Sequence, residues 1–278
     1  MKYVLHHNDC DGYGAAWAAY KAMGKHDGIQ YHPVDYGWKL PEMEDGSDVY
    51  ILDFSLSKDE LDALVSRMNF VQILDHHKSA FESIGNHPNA FFDMNRSGAG
   101  IAWDYFHKDV PRPAFIDYIE DADLWKFSLP YSKDVKNSLF LIDLDIEAYD
   151  REWNVPINKR IEEGQTITKY MNSLLKIGSG YKHIIEIDEF KMVCVPSCLL
   201  QSDFGNHLFV NHVKEMGADF AGVYFNLGDG TVKFSTRSVG DFDVSVICKR
   251  FGGGGHRNAA GFQIDETLFS FKKISSEV

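Results

Sequence analysis

Apolar residues in the first half of the chain gather in short β-rich runs, at Tyr3 to Leu5, Val49 to Leu52 and Phe70 to Leu74. Between these runs the apolar spacing is helical, most clearly over Gly14 to Ala22 and Asp59 to Met68. Strands alternating with helices predict a parallel sheet with helices on both faces, and such a sheet collects ligands at the carboxyl ends of its strands. Ile157 to Ile177 reads as one long polar-apolar helix, closed by the breaker cluster Gly178-Ser179-Gly180. Phe190 to Val195, Phe220 to Asn226 and Thr231 to Thr236 then read as strands and Val244 to Phe251 as a helix. The expected class is α/β, with a larger domain over 1–155, a helical linker over 156–180 and a smaller α/β domain with a mixed sheet over 181–278.

Composition narrows the partners. With 278 residues, 44% of them hydrophobic, the chain can bury a sizeable core. Lys plus Arg number 28 against 41 Asp plus Glu, a net charge of −13 that repels long nucleic acid. A phosphorylated substrate stays compatible with that charge, because bound divalent cations reverse the field inside a carboxylate-rich site. Cys10, Cys194, Cys198 and Cys248 lack the paired spacing of a zinc site and read as free thiols. No signal-peptide pattern opens the sequence and no apolar run approaches the roughly 20 residues of a membrane span, so a cytoplasmic protein without membrane contact is expected. A homodimer is compatible with the sequence.

Three polar segments follow strand patterns: HHNDCDG at His6 to Gly12, ILDFS at Ile51 to Ser55 and ILDHH at Ile73 to His77. All three would emerge at the same rim of one parallel sheet. A fourth acidic group, Glu120-Asp121-Ala122-Asp123, ends the helix-like run Phe115 to Ile119. Singly, an Asp after a strand is usually a turn former or a helix cap. Jointly the segments bring His7, Asp9, Asp11, Asp53, Asp75, His76, His77 and Asp121 to one place, and three unrelated caps do not explain that. Carboxylate and imidazole ligands without thiolates suit manganese or a similar cation, and so many carboxylates at one rim argue for two ions, which one carboxylate could bridge about 3.5 to 4 Å apart.

These motifs resemble the successive motifs of the DHH phosphoesterases, and GGGGHRNAAGF at Gly252 to Phe262 is similar to the signature of the associated DHHA1 domain. The resemblance reaches both ends of the chain and makes 1–155 the DHH catalytic domain and 181–278 the DHHA1 substrate-binding domain. It implies that His7, Asp9 and Asp53 hold one Mn2+ and that Asp11, Asp53, His76 and Asp121 hold the second, Mg2+ or Co2+ being substitutes. Asp75 would orient the site, and His77 would contact the scissile phosphate or the leaving group. Two histidines precede Asp9, so His6 could replace His7, and Asp123 fits the fourth motif as well as Asp121 does.

The C-terminal glycines have a physical reading of their own. Gly252 to Gly255 can approach a ligand without Cβ obstruction, and their N–H groups can form an anion nest leading into a helix that starts near His256. Gly253, Gly254, Gly255, His256 and Arg257, with Arg237 on a nearby strand end, form the expected phosphate cradle. Ser97 to Gly100 fits a further phosphate contact or a plain helix N-terminus equally well. The expected activity is a manganese-dependent phosphodiesterase acting on short oligonucleotides or small nucleotides by two-metal activation of water. The alternatives are a pyrophosphatase or exopolyphosphatase on the same site, and a catalytically inactive nucleotide-binding module. Tyr13, Tyr36, Trp38, Phe54 and Trp125 are candidates for stacking on a base, the feature that separates the first reading from the second.

Overall fold

A computed structural model describes residues 1–274, and the chain divides into two compact units, Met1–Lys169 and Tyr170–Val278. The first unit begins β1 (Lys2–His7), α1 (Cys10–Met23), β2 (Ile29–Val34), β3 (Asp48–Leu52), α2 (Lys58–Arg67), β4 (Phe70–Asp75), α3 (Lys78–Ile84) and β5 (Ala90–Phe92). It continues with α4 (Gly98–Phe106), α5 (Ala114–Asp123), α6 (Ser132–Ser138), α7 (Ile146–Glu152) and the start of α8 (Ile157–Gly178), within which the division falls. Its five strands are all parallel in the order β2-β1-β3-β4-β5.

Alternation along each strand feeds two cores. Val4, Leu52 and Leu74 point into one with Trp17, Ile101, Ile116 and Ile119, whereas Leu5, Ile51 and Ile73 point into the other with Leu61, Leu64 and Ile84. Helices therefore cover both faces of the sheet, as an all-parallel sheet requires. On the first face α1 is built from small residues so that α4 and α5 can close on it. A Cβ on Gly14 would stand 2.9 Å from the Ala99 Cβ and 3.1 Å from Ile119 Cδ1.

Strand order reverses between β1 and β3, since the chain leaves β1 for one neighbour and returns to its other side. That reversal opens a crevice at the carboxyl ends of these two strands. Register then aligns the motifs: His6 pairs with Leu52 and Leu52 with Leu74. The next residues, His7, Asp53 and Asp75, consequently form one row across three strands.

The second unit carries β6 (His183–Ile187), β7 (Phe190–Pro196), α9 (Gln201–Met216), β8 (Phe220–Asn226), β9 (Thr231–Arg237), α10 (Val244–Arg250), β10 (Gly254–His256), β11 (Ala259–Asp265) and β12 (Lys273–Ile274). They form a seven-stranded mixed sheet, ordered β10-β11-β9-β8-β7-β6-β12, with α10 packed into the core on one face and α9 into that on the other. No helix starts near His256. The GGGGH segment enters β10, which pairs antiparallel with β11, because Gly254 and Gly255 take ladder partners in Gly261 and Ala260.

Candidate metal centre

The row at the strand ends is built by local backbone demands as well as by register. Asp9 caps α1, accepting from Gly12 N at 2.9 Å through Oδ1, and its Oδ2 lies 3.0 Å from His7 Nδ1. Gly12 is required where α1 leaves β1, because a Cβ there would fall 2.1 Å from the His7 carbonyl oxygen. Asp53 adopts the left-handed region at φ 54°, which aspartate tolerates better than bulky residues do. Its side chain presses on Gly98, where a Cβ would lie 2.3 Å from the Asp53 Cβ.

Carboxylates and imidazoles converge here in two adjacent groups. His7, Asp9 and Asp53 offer ligand atoms within 4.8 Å of one another, and so do Asp11, His76 and Asp123. Asp53 links the two, with Oδ1 3.1 Å from His76 Nε2 and Oδ2 3.7 Å from His7 Nδ1. His76 Nε2 stands 3.7 Å from Asp11 Oδ2 and 3.6 Å from Asp123 Oδ2. The buried atoms Asp53 Oδ1 and His7 Nδ1 make no hydrogen bond despite these approaches, the arrangement expected of atoms directed at a shared ion and not at each other. This donor set, carboxylate oxygens and imidazole nitrogens without sulfur, fits manganese or magnesium.

Charge is balanced inside the group. Burial opposes ionisation of Asp53, yet His7 and His76 hold it well below the carboxylate range. Burial would lower His7, but the Asp53 and Asp9 carboxylates push it up to about 11. Asp11 is raised by burial and by the charges of Asp53 and Asp123. Asp123 is pushed up to about 6, chiefly by burial and against the pull of His76.

The other residues of the row support these. Asp75 accepts from the backbone N–H groups of His76 and His77, from Ser55 Oγ at 2.5 Å and from His77 Nδ1 at 2.7 Å, so it holds the ring of His77 by its Nδ1 side. Asp11 accepts from Gly98 N at 2.6 Å and Ala99 N at 3.0 Å, which occupies the N-terminus of α4 with a carboxylate of the chain itself. Ser97 caps that helix through Gly100 N. The Ser97 to Gly100 segment is therefore a helix start that positions Asp11. Sequence reading missed this support, as it did that of Ser55, because both partners come from other parts of the chain.

Two choices that the spacing left open, His6 or His7 and Asp121 or Asp123, are separated by the structure. His6 is 1% exposed, packs edge-on against Tyr13 at 4.5 Å and is pushed down to about 4 by burial; the cluster takes His7. Asp121 is turned away from it. Its carboxylate accepts from Ser128 N, Ser128 Oγ and Leu129 N, and its carbonyl from Lys126 N and Phe127 N, which clamps the segment after α5. Asp123 stands beside His76 instead. Helical spacing carried a signal: Ile116, Ile119 and Asp123 recur at i, i+3 and i+7, and the two isoleucines share the core of α1 and α4.

In the second unit, Arg237, Ala259 and His256 lie directly opposite one another on β9, β11 and β10 and so share one face of the sheet. Arg237 donates to Ser202 Oγ, Ser235 Oγ and the Thr236 carbonyl, and burial pushes it down to about 10. The expected anion nest is corrected. Gly252 N and Gly253 N donate to the carbonyls of Lys249 and Cys248 and finish α10, while Gly254 and Gly255 belong to the β10 ladder. Arg257 sits on the following turn and pairs with Asp241 at 3.0 Å.

Residues 208–277 match the DHHA1 domain family. The whole chain is similar to oligoribonuclease NrnB of Bacillus subtilis, at 24% identity over 97% of this chain and 74% of that protein. The chain belongs to the DHH/DHHA1 phosphoesterase family. A second relative of this DHH/DHHA1 chain is an uncharacterized protein of Acanthamoeba polyphaga mimivirus, 30% identical over 93% of this chain, of whose length the chain spans 66%. Among solved structures, the pGpG-specific phosphodiesterase PggH from Vibrio cholerae shares the fold at a TM-score of 0.50 and 14% identity, with 95% of this chain and 94% of that one covered. So does the DHH domain of a protein assigned to a family of ribosomal proteins, at a TM-score of 0.53 and 13% identity, covering 94% and 82%. Among the described residues no helix is long and apolar enough to cross a membrane.

Proposed function

We propose that this chain is a manganese-dependent phosphodiesterase that hydrolyses short oligonucleotides or small nucleotides. The observation that carries the reading is the pair of ligand groups joined by Asp53, which belongs to one and lies against His76 of the other, at the strand reversal. His7 and Asp9 would hold one cation, Asp11, His76 and Asp123 the other, with Asp53 between them. When bound, such a pair lowers the pKa of water and offsets charge on the phosphoryl group. Asp75 fixes the ring of His77 through Nδ1, and His77 would contact the scissile phosphate or the leaving group. Arg237 and His256 would bind a second phosphate, with the small Ala259 between them leaving room. Substrates named for the relatives, oligoribonucleotides and pGpG, support the choice of a short phosphodiester.

The deciding experiment offers the purified protein and Mn2+ a panel of di- and trinucleotides, cyclic dinucleotides, pyrophosphate and polyphosphate. Turnover of the short nucleotides is expected. Turnover of pyrophosphate or polyphosphate alone would replace this reading by the pyrophosphatase one, and no turnover with both ions bound would leave a nucleotide-binding module.

A further inference from the structure

Beyond the acidic row, the turn after β2 brings aromatic surface onto its edge. Tyr36 packs at 4.7 Å, tilted by 40°, against Phe54, the residue following Asp53, and its ring centroid lies 6.0 Å from that of His7. Phe54 is itself 6.2 Å from His7 and is buried, at 5% exposure. Tyr36, at 55%, and Trp38, at 54%, are open to solvent, although the same unit buries Trp17 completely. The turn exists because Asp35 O accepts from Trp38 N at 3.0 Å and Gly37 takes φ 85°, so two large rings are presented two residues apart. Core packing does not account for such exposure.

The charge beside the rings selects among ligands. Asp35 Oδ1 is 3.6 Å from His7 Nε2, placing a carboxylate at this edge, which disfavours a second phosphate here. A flat, uncharged, polarisable group fits, and every nucleobase has such a face. We propose that Tyr36 and Trp38 form a stacking platform for the base next to the phosphate at the acidic row, making the site selective for base-bearing esters. This rests on the phosphodiesterase reading above.

The test compares kcat/KM on triadenylate and on an abasic trinucleotide of equal charge, for wild type, Tyr36→Ala, Trp38→Ala, the double variant and Tyr36→Phe. Titration with adenosine 5'-monophosphate against ribose 5-phosphate supplies a binding readout, and a thermal melt checks folding. Wild type should prefer the base-bearing member of each pair. The alanine variants should lose that preference by roughly five- to 150-fold, the range of one stacked base, while Tyr36→Phe keeps it. Preference retained in the double variant, or equal proportional losses on both substrates, overturns the platform and leaves the phosphodiesterase reading intact. A wild type that hydrolyses neither trinucleotide overturns that reading, and the platform with it.

Discussion

Two aspartates two positions apart do different work because a helix turns about 100° per residue. Asp123→Asn should remove one of the two cations and most turnover, whereas Asp121→Asn should lower the melting temperature by releasing the segment after α5, at about 1 to 3 kcal/mol for its unpaired donors. Metal content by atomic emission, together with calorimetry, separates the two. If Asp121→Asn loses an ion while Asp123→Asn retains both, the assignment is reversed. Asp53→Ala should impair retention of both ions, since its carboxylate lies between the two groups. Gly98 is as exacting as any ligand. In Gly98→Ala the new methyl meets Asp53, so metal affinity should fall by at least tenfold and stability by about 1 to 3 kcal/mol. Wild-type affinity in that variant would show that α4 can yield.

At the scale of elements, Glu120 on α5 ties down the approach to α4. It accepts from Arg96 Nε at 2.9 Å, Ser97 N at 3.2 Å and Arg112 Nη1 at 3.0 Å. Burial opposes its ionisation, but the two guanidinium groups hold it below its ordinary value of 4.5. A carboxylate depressed in the folded state stabilises fully above the unfolded value and loses that contribution as pH falls through the folded one. Glu120→Gln should thus cost most at neutral pH, and the gap in melting temperature from wild type should close as pH falls below 4.5. A gap that does not change down to about pH 3 would contradict the ion-pair account. The close approach of α6 and α8 offers a second check. A Cβ at Gly164 would fall 1.7 Å from the Asp134 carbonyl oxygen, so Gly164→Ala should lower the melting temperature by several degrees.

For the whole molecule, binding of cations to the native state alone adds stability. Chelation should lower the melting temperature and Mn2+ should restore it more effectively than Ca2+, because imidazole ligands favour the former. An identical melt with and without chelator would remove the metal centre from the proposed function. Phosphate binding in the second unit is tested by Arg237→Ala and His256→Ala. Each should lower kcat/KM on a 5'-phosphorylated trinucleotide by roughly one to three orders of magnitude, with less effect on its unphosphorylated form. Equal losses on both forms would leave the row across β9, β11 and β10 without a ligand.

Alternating strand and helix patterns determined the parallel sheet, and three polar segments after strands determined which rim is acidic, since both follow from local periodicity and chain direction. The sequence also named His7, Asp9, Asp11, Asp53, Asp75, His76 and His77 as neighbours, and the structure brings these seven together. Strands β2 and β5 were not legible, β2 because its pattern is broken by Pro33 and polar residues, and β5 because it is three residues long. Seating Asp11 on α4 was decided by tertiary contact alone, whereas the choice of Asp123 over Asp121 and the conversion of GGGGH into a strand turned on backbone partners a few residues further along. Gly98 reaches Asp11 from a different element far along the chain, and spacing does not carry that information.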